Sequence, residues 1–170
     1  MNKTDPIAKN IKGGCMYQKI MVPLDGSELA ECVFAHMDSL AWGCLAKMII
    51  LVQAVEPFQY PSYAGELTIT PEDIHRINVQ NRVAAETYLK KLVDRFKYEN
   101  INIRWEVFTG RPTEVLADYA NKNQVDLILM ATHGRSGVSR WVWGSVADRM
   151  LRSACVPVLM VRAPGCFPGF

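Results

Sequence analysis

The stretch that decides the fold reads Val125-Asp126-Leu127-Ile128-Leu129-Met130-Ala131-Thr132-His133-Gly134-Arg135-Ser136-Gly137 and continues to Trp143-Gly144-Ser145. A short apolar run ends at Ala131, and runs of this kind bounded by turn signals suit a buried strand. A glycine-bearing loop follows. From Gly144 the apolar period becomes helical, with Val146, Met150 and Leu151 on one face, which predicts a helix beginning near Ser145. Strand, glycine loop and helix N-terminus together suit an anion. Glycine lets the backbone approach closely, the loop N–H groups converge, and the helix dipole favours negative charge. The same arrangement is also an ordinary turn of α/β proteins, and Ser145 with Asp148 reads equally as a capping box.

Working outward, Val156 to Val161 reads as a fifth strand, and Ala163 to Phe170, rich in glycine and proline, as a loose tail. On the N-terminal side, Lys19 to Leu24 is a first strand with Pro23 at its carboxyl margin. Asp25-Gly26-Ser27 is a turn and helix start, and Leu29, Val33, Met37 and Leu40 repeat at helical spacing until Gly43 ends the helix. Lys47 to Gln53 is apolar almost throughout, the mark of a strand covered on both faces. Glu56 to Ile69 reads as a long loop. Thr70-Pro71-Glu72-Asp73 is a helix start, and Ile74, Ile77, Ala84, Tyr88, Leu92 and Phe96 carry one face onward. Ile101, Ile103, Trp105 and Val107 alternate on a half-buried strand near a sheet edge. Gly110 and Pro112 mark a turn, and Val115, Leu116 and Tyr119 begin a helix that ends near Asn123.

Strands alternating with helices predict an open, mostly parallel sheet covered on both faces. In such sheets ligands bind beyond the carboxyl ends of the strands, where strand order reverses. The residues at those ends are Asp25, Ala54 to Glu56, Gly110 and Ala131 to Gly134.

A chain of 170 residues suits one domain with a sizeable core. Its 19 basic and 17 acidic residues leave a net charge of +2, which gives no reason to expect nucleic acid or an anionic membrane as partner. No apolar run approaches the ~20 residues that span a bilayer. Met1 to Cys15 is polar and mixed and lacks the apolar core of a signal peptide. It reads as a disordered lead, with a cytoplasmic location as the default. Cys15, Cys32, Cys44, Cys155 and Cys166 show no Cys-x-x-Cys spacing and read as free thiols. His36, His75 and His133 form no ligand pair, so no metal site is expected.

Several chemistries are excluded by motif. The chain contains no Gly-x-x-x-x-Gly-Lys-[Ser/Thr] and no Gly-x-Gly-x-x-Gly. Gly134-Arg135-Ser136-Gly137 is not a nucleophile elbow. No acid or nucleophile is placed to work with His133.

The run 131–149 (Ala-Thr-His-Gly-Arg-Ser-Gly-Val-Ser-Arg-Trp-Val-Trp-Gly-Ser-Val-Ala-Asp-Arg), followed by Val-Pro-Val-Leu-Met-Val-Arg at 156–162, resembles the C-terminal half of a universal stress protein. The family pattern is Gly, two residues, Gly, nine residues, Gly, then Ser or Thr. Gly134, Gly144 and Ser145 match it with the nine-residue gap intact, and Ala131 stands at the first position. Lys19 to Ser27 is similar to the family's opening strand and its Asp, and Gly110-Arg111-Pro112 to the turn before its third helix. The resemblance covers residues 16–162.

It implies a five-stranded sheet in the order 3-2-1-4-5 with helices on both faces, of the adenine-nucleotide α-hydrolase-like kind. It also implies a site for ATP or a related adenine nucleotide. Pro23, Leu24 and Asp25 would take the adenosine portion, with the backbone of Ala54 near the adenine edge. Met130, Ala131, Thr132, His133, Gly134 and Arg135 would approach ribose and α-phosphate, and Gly144, Ser145 and Val146 would hold the phosphates. Any Mg²⁺ would arrive with the nucleotide. The resemblance further implies a homodimer joined through the last strand at Val156, Val158 and Met160, acting on a protein partner of unknown identity.

Each residue also has a plainer role. Asp25 caps the first helix with Glu28 as its partner, Arg135 and Arg140 are solvated charges, and Trp141 and Trp143 pack the loop onto its own domain. Three functions therefore stand side by side: a nucleotide-binding regulator, a nucleotide-free dimeric module with a structural glycine loop, and a slow ATPase.

Overall fold

The computed structural model of the chain describes residues 16–44, 46–59, 69–132 and 145–162. The expected lead over 1–15, the middle of the long loop, most of the glycine loop and the tail over 163–170 lie outside the described residues.

The strands are β1 (Lys19–Pro23), β2 (Met48–Val55), β3 (Asn102–Thr109), β4 (Leu127–Ala131) and β5 (Val158–Val161). They form one sheet in the order β3-β2-β1-β4-β5, and every neighbouring pair is parallel. The helices are α1 (Phe34–Gly43), α2 (Pro71–Arg95), α3 (Pro112–Lys122) and α4 (Ser145–Ser153). Strand side chains alternate between the two faces. Ile20, Val22, Ile49, Leu51, Leu127 and Leu129 pack with Met37 of α1 and with Leu89 and Leu92 of α2. Met21, Ile50, Val52, Ile128 and Met130 pack with Leu116 of α3 and Met150 of α4. Each fully buried aliphatic side chain of this kind stabilises the fold by about 1.5–3 kcal/mol.

The helix starts follow local chemistry, with some shifts from the expected pattern. At Thr70 the hydroxyl accepts from the Asp73 N–H at 3.1 Å, and the Asp73 carboxylate accepts from the Thr70 N–H at 3.2 Å. The bonds that the Thr70 N–H and the Thr70 hydroxyl donate to the Asp73 carboxylate hold its carboxyl below the ordinary range, against desolvation and with the Arg76 guanidinium adding to the lowering.

The first helical segment differs from expectation. A 3-10 turn over Ala30–Val33 precedes α1, with i→i+3 bonds such as Ala30 N–H to Ser27 O at 3.1 Å. This tighter winding brings Ala30, Val33, Phe34, Met37 and Ala41 to the core and leaves Leu29 and Leu40 half-buried. Gly43 is the last helical residue and not a left-handed terminator; Cys44 follows at φ −99° and its N–H bonds Leu40 O.

Two other faces agree at Leu92 and Met150 and differ at neighbouring positions. On α2 the buried residues are Ala85, Leu89 and Leu92, while Ala84 is exposed. On α4 they are Ala147 and Met150, and Leu151 is half exposed at 49%. The fourth strand begins at Leu127, two residues later than the apolar run suggests, because the Asp126 carboxylate is turned to the β1 backbone. The fifth begins at Val158, because Pro157 offers the sheet only its carbonyl, which accepts from the Ile128 N–H at 2.9 Å.

Candidate functional site

The strands end at different levels, and this makes a crevice. The last β1–β2 pair is Pro23↔Val52, whereas β2 and β3 run on together to Val55↔Thr109. The Leu24 N–H still bonds Val52 O at 2.8 Å, after which the chain turns out of the sheet. Gly26 makes that turn at φ +83°, a conformation glycine adopts without strain. β4 ends beside it at Ala131, and the Thr132 N–H bonds Val161 O at 2.8 Å. β1 and β4 are adjacent while their connections leave in opposite directions, so this is the switch point where α/β sheets hold ligands.

The structure brings Pro23, Leu24 and Asp25 together with Met130, Ala131 and Thr132 at the ends of these two neighbouring strands. Ala54 stands across the turn on the overhanging end of β2. Ser145 is the exposed first residue of α4, and Val146 is half-buried against the core cluster that contains Met130. His133, Gly134, Arg135 and Gly144, with Arg140, Trp141 and Trp143, lie outside the described residues.

Asp25 organises its own turn. Its Oδ1 accepts from the Ser27 N–H at 3.0 Å and the Ser27 hydroxyl at 2.6 Å, and Ser27 Oγ in turn accepts from the Ala30 N–H at 3.2 Å. The cap of the first helical turn is therefore Ser27, held by Asp25, and Glu28 is an exposed residue of the turn. Behind the turn, Tyr88 of α2 donates to Glu31 at 3.0 Å. Burial, that bond and the charges of Glu31 and Asp25 all raise the Tyr88 hydroxyl above its ordinary range.

Two features bear on whether a nucleotide fits. Ala131, at the position where the family pattern has glycine, is only 8% exposed and packs in the α1–α2 core cluster. Its methyl group is thus accommodated by the protein interior. Gln53, near the end of β2, is 9% exposed, and its Oε1 has no hydrogen-bond partner among the described residues. Sequence pattern alone does not single out Gln53. Its signal was a carboxamide in the otherwise apolar run Met48–Val55. Among the described residues no group of three or more His, Cys, Asp or Glu is placed to hold a metal ion, and no helix is long and apolar enough to cross a membrane.

The edge expected to join two copies is also visible. β5 is an outermost strand. Val156, Val158 and Met160 are half-buried against their own chain's core on the α3–α4 face, and the exposed side chain of the strand is Leu159.

Comparison with known proteins follows the same lines. The model of the universal stress protein family matches residues 16–162. A universal stress protein of Methanocaldococcus jannaschii is 30% identical over 153 residues, covering 89% of this chain and 86% of the relative. Among solved structures, the universal stress protein UspA of Lactobacillus plantarum superposes with a TM-score of 0.70 at 21% identity, covering 86% of this chain and 98% of the other. A universal stress protein family member of Arabidopsis thaliana, solved with AMP bound, superposes with a TM-score of 0.52 at 18% identity, covering 87% of this chain and 93% of the other.

Proposed function

Because the chain belongs to the universal stress protein family, we propose that it is a regulator that binds ATP or a related adenine nucleotide at the carboxyl end of its sheet. The observation that carries this reading is that Pro23–Asp25 and Met130–Thr132 lie at the carboxyl ends of the neighbouring strands β1 and β4, at the switch point. The AMP bound to the structurally similar Arabidopsis protein supports the ligand class. In this reading Asp25 and the Ala54 backbone face the adenosine portion. The loop from Thr132 through Gly134 and Arg135 reaches the α-phosphate, and Gly144, Ser145 and Val146 receive the remaining phosphates at the start of α4. Mg²⁺, where present, is carried by the phosphates.

Calorimetric titration of ATP and AMP into wild type and Gly144→Asp tests the proposal, with circular dichroism as folding control. A carboxylate at Gly144 stands where phosphate approaches the backbone. At an effective dielectric of about 20, like charges 4 Å apart repel by roughly 4 kcal/mol, about three decades of affinity. Binding is expected in wild type and not in the variant. Equal affinity in both places the nucleotide elsewhere. No binding to ligand-stripped wild type favours the structural-loop module.

The same proposal includes a homodimer through β5, whose outer edge invites a second strand and whose Leu159 is exposed at 39%. Sedimentation as a monomer at roughly tens of micromolar contradicts it.

A further inference from the structure

Gln53 is the polar member of an apolar strand, and it sits at the lip of the crevice. On one side it pairs with Val107 of β3. On the other, β1 has already ended at the level of Val52, so the neighbour there is the Leu24–Gly26 turn. A β-carbon placed on Gly26 would stand 3.7 Å from Gln53 Nε2, so the carboxamide lies directly against this turn. Its Oε1 is buried and has no donor among the described residues. Such an atom destabilises a folded chain unless something else supplies the donor.

The chemistry of the missing partner is constrained. A carbonyl oxygen takes only donors, and the nearby Asp25 carboxylate, when ionised, also takes only donors. A phosphate or carboxylate group of a ligand brings more acceptors and does not suit this corner. An exocyclic amine brings two N–H groups and does.

We infer that Gln53 Oε1 accepts a hydrogen bond from the 6-amino group of the bound purine, which makes Gln53 a specificity residue for amino-purine nucleotides. The inference rests on the nucleotide reading above and adds to it the base that is chosen and the atom that chooses it. A purine with hydrogen at position 6 leaves Oε1 orphaned in the complex, and sites that lose a buried partner in this way discriminate strongly.

The test titrates AMP and purine riboside 5′-monophosphate, which lacks the amine, into wild type, Gln53→Met and Gln53→Leu, and records the Tm of each ligand-free protein. Wild type is expected to prefer AMP by about tenfold. In both variants the preference falls to near unity through loss of AMP affinity. The ligand-free Gln53→Met protein is expected to melt at or above the wild-type temperature, because the orphaned acceptor is gone. An unchanged preference in the variants overturns the inference, as does a lowered Tm with the preference intact, which assigns Gln53 to a structural water. Those outcomes leave the nucleotide reading standing. Failure of wild type to bind either ligand overturns both.

Discussion

At the amino end of the sheet the backbone is closed off by side chains. The Asp126 carboxylate accepts from the N–H groups of Gln18 at 3.0 Å and Lys19 at 2.8 Å, tying β4 to β1. Lys19 Nζ donates to Asn123 O at 2.7 Å, at the end of α3, and Gln18 O accepts from the N–H groups of Lys47 and Met48. At the carboxyl end β1 and β4 stop short, β2 and β3 overhang, Gly26 and Gly110 turn through positive φ, and a buried carboxamide oxygen lacks a donor among the described residues. Polar groups at both ends bond within the chain, but at the carboxyl end one buried acceptor, Gln53 Oε1, has no donor among the described residues. Departures from local consistency of this kind concentrate where proteins bind things, and the departing end is the one at which parallel sheets hold ligands.

Substitutions can break this contrast from either end. The largest loss of stability is expected from Asp126→Ala, which leaves the Gln18 and Lys19 N–H groups at the entry to β1 without their charged acceptor. The cost is about 3 kcal/mol, read as a lower urea midpoint, with nucleotide affinity in the surviving folded protein unchanged. A parallel loss of affinity would mean that the amino end is not merely structural. Next is Gly110→Ala. Gly110 lies at φ +141°, and a β-carbon there would meet Val115 Cγ1 at 2.8 Å. The strain costs about 2 kcal/mol in the same assay. A neutral result would show that the turn after β3 relaxes freely.

The smallest effect is a general one at high pH. Tyr88, Tyr98 and Tyr119 donate to Glu31, Asp38 and Glu106. Burial first, then these bonds and the carboxylate charges, raise all three hydroxyls above the ordinary value of 10.0. The folded chain therefore holds these protons more tightly than the unfolded chain does. Their contribution is complete below about pH 10 and is lost as pH rises beyond it. Urea midpoints should fall above that pH, and Tyr88→Phe should flatten the fall. An identical alkaline slope in the variant would remove Tyr88 from the account.

The sequence was most legible where pattern and chemistry agree. The apolar runs Lys19–Leu24 and Val125–Ala131, the Thr70–Asp73 box and the alternation from Ile101 to Val107 lead to β1, β4, α2 and the edge strand β3, with ends that shift by one or two residues. Helix faces were less legible. The first half of α2 contributes no buried residue before Ala85, so the face that Ile74 and Ile77 begin is fully packed only in the second half of the helix. At the Asp25 turn, spacing points to Glu28 as the capping partner, whereas Ser27 donates to Asp25 and itself caps the Ala30 N–H. Gln53 was hidden because one polar residue hardly alters an apolar run. Its meaning depends on β1 ending one residue earlier in the register, which only the paired strands reveal.

The most direct test of the contrast between the two ends is amide hydrogen exchange with and without saturating AMP. The account predicts slowed exchange at Leu24–Ser27, Gln53–Val55 and Ala131–Thr132 and in the first turn of α4 from Ser145, with no change at Gln18–Lys19 and Asn123–Asp126. Protection confined to the amino end, or spread evenly over the sheet, would contradict it.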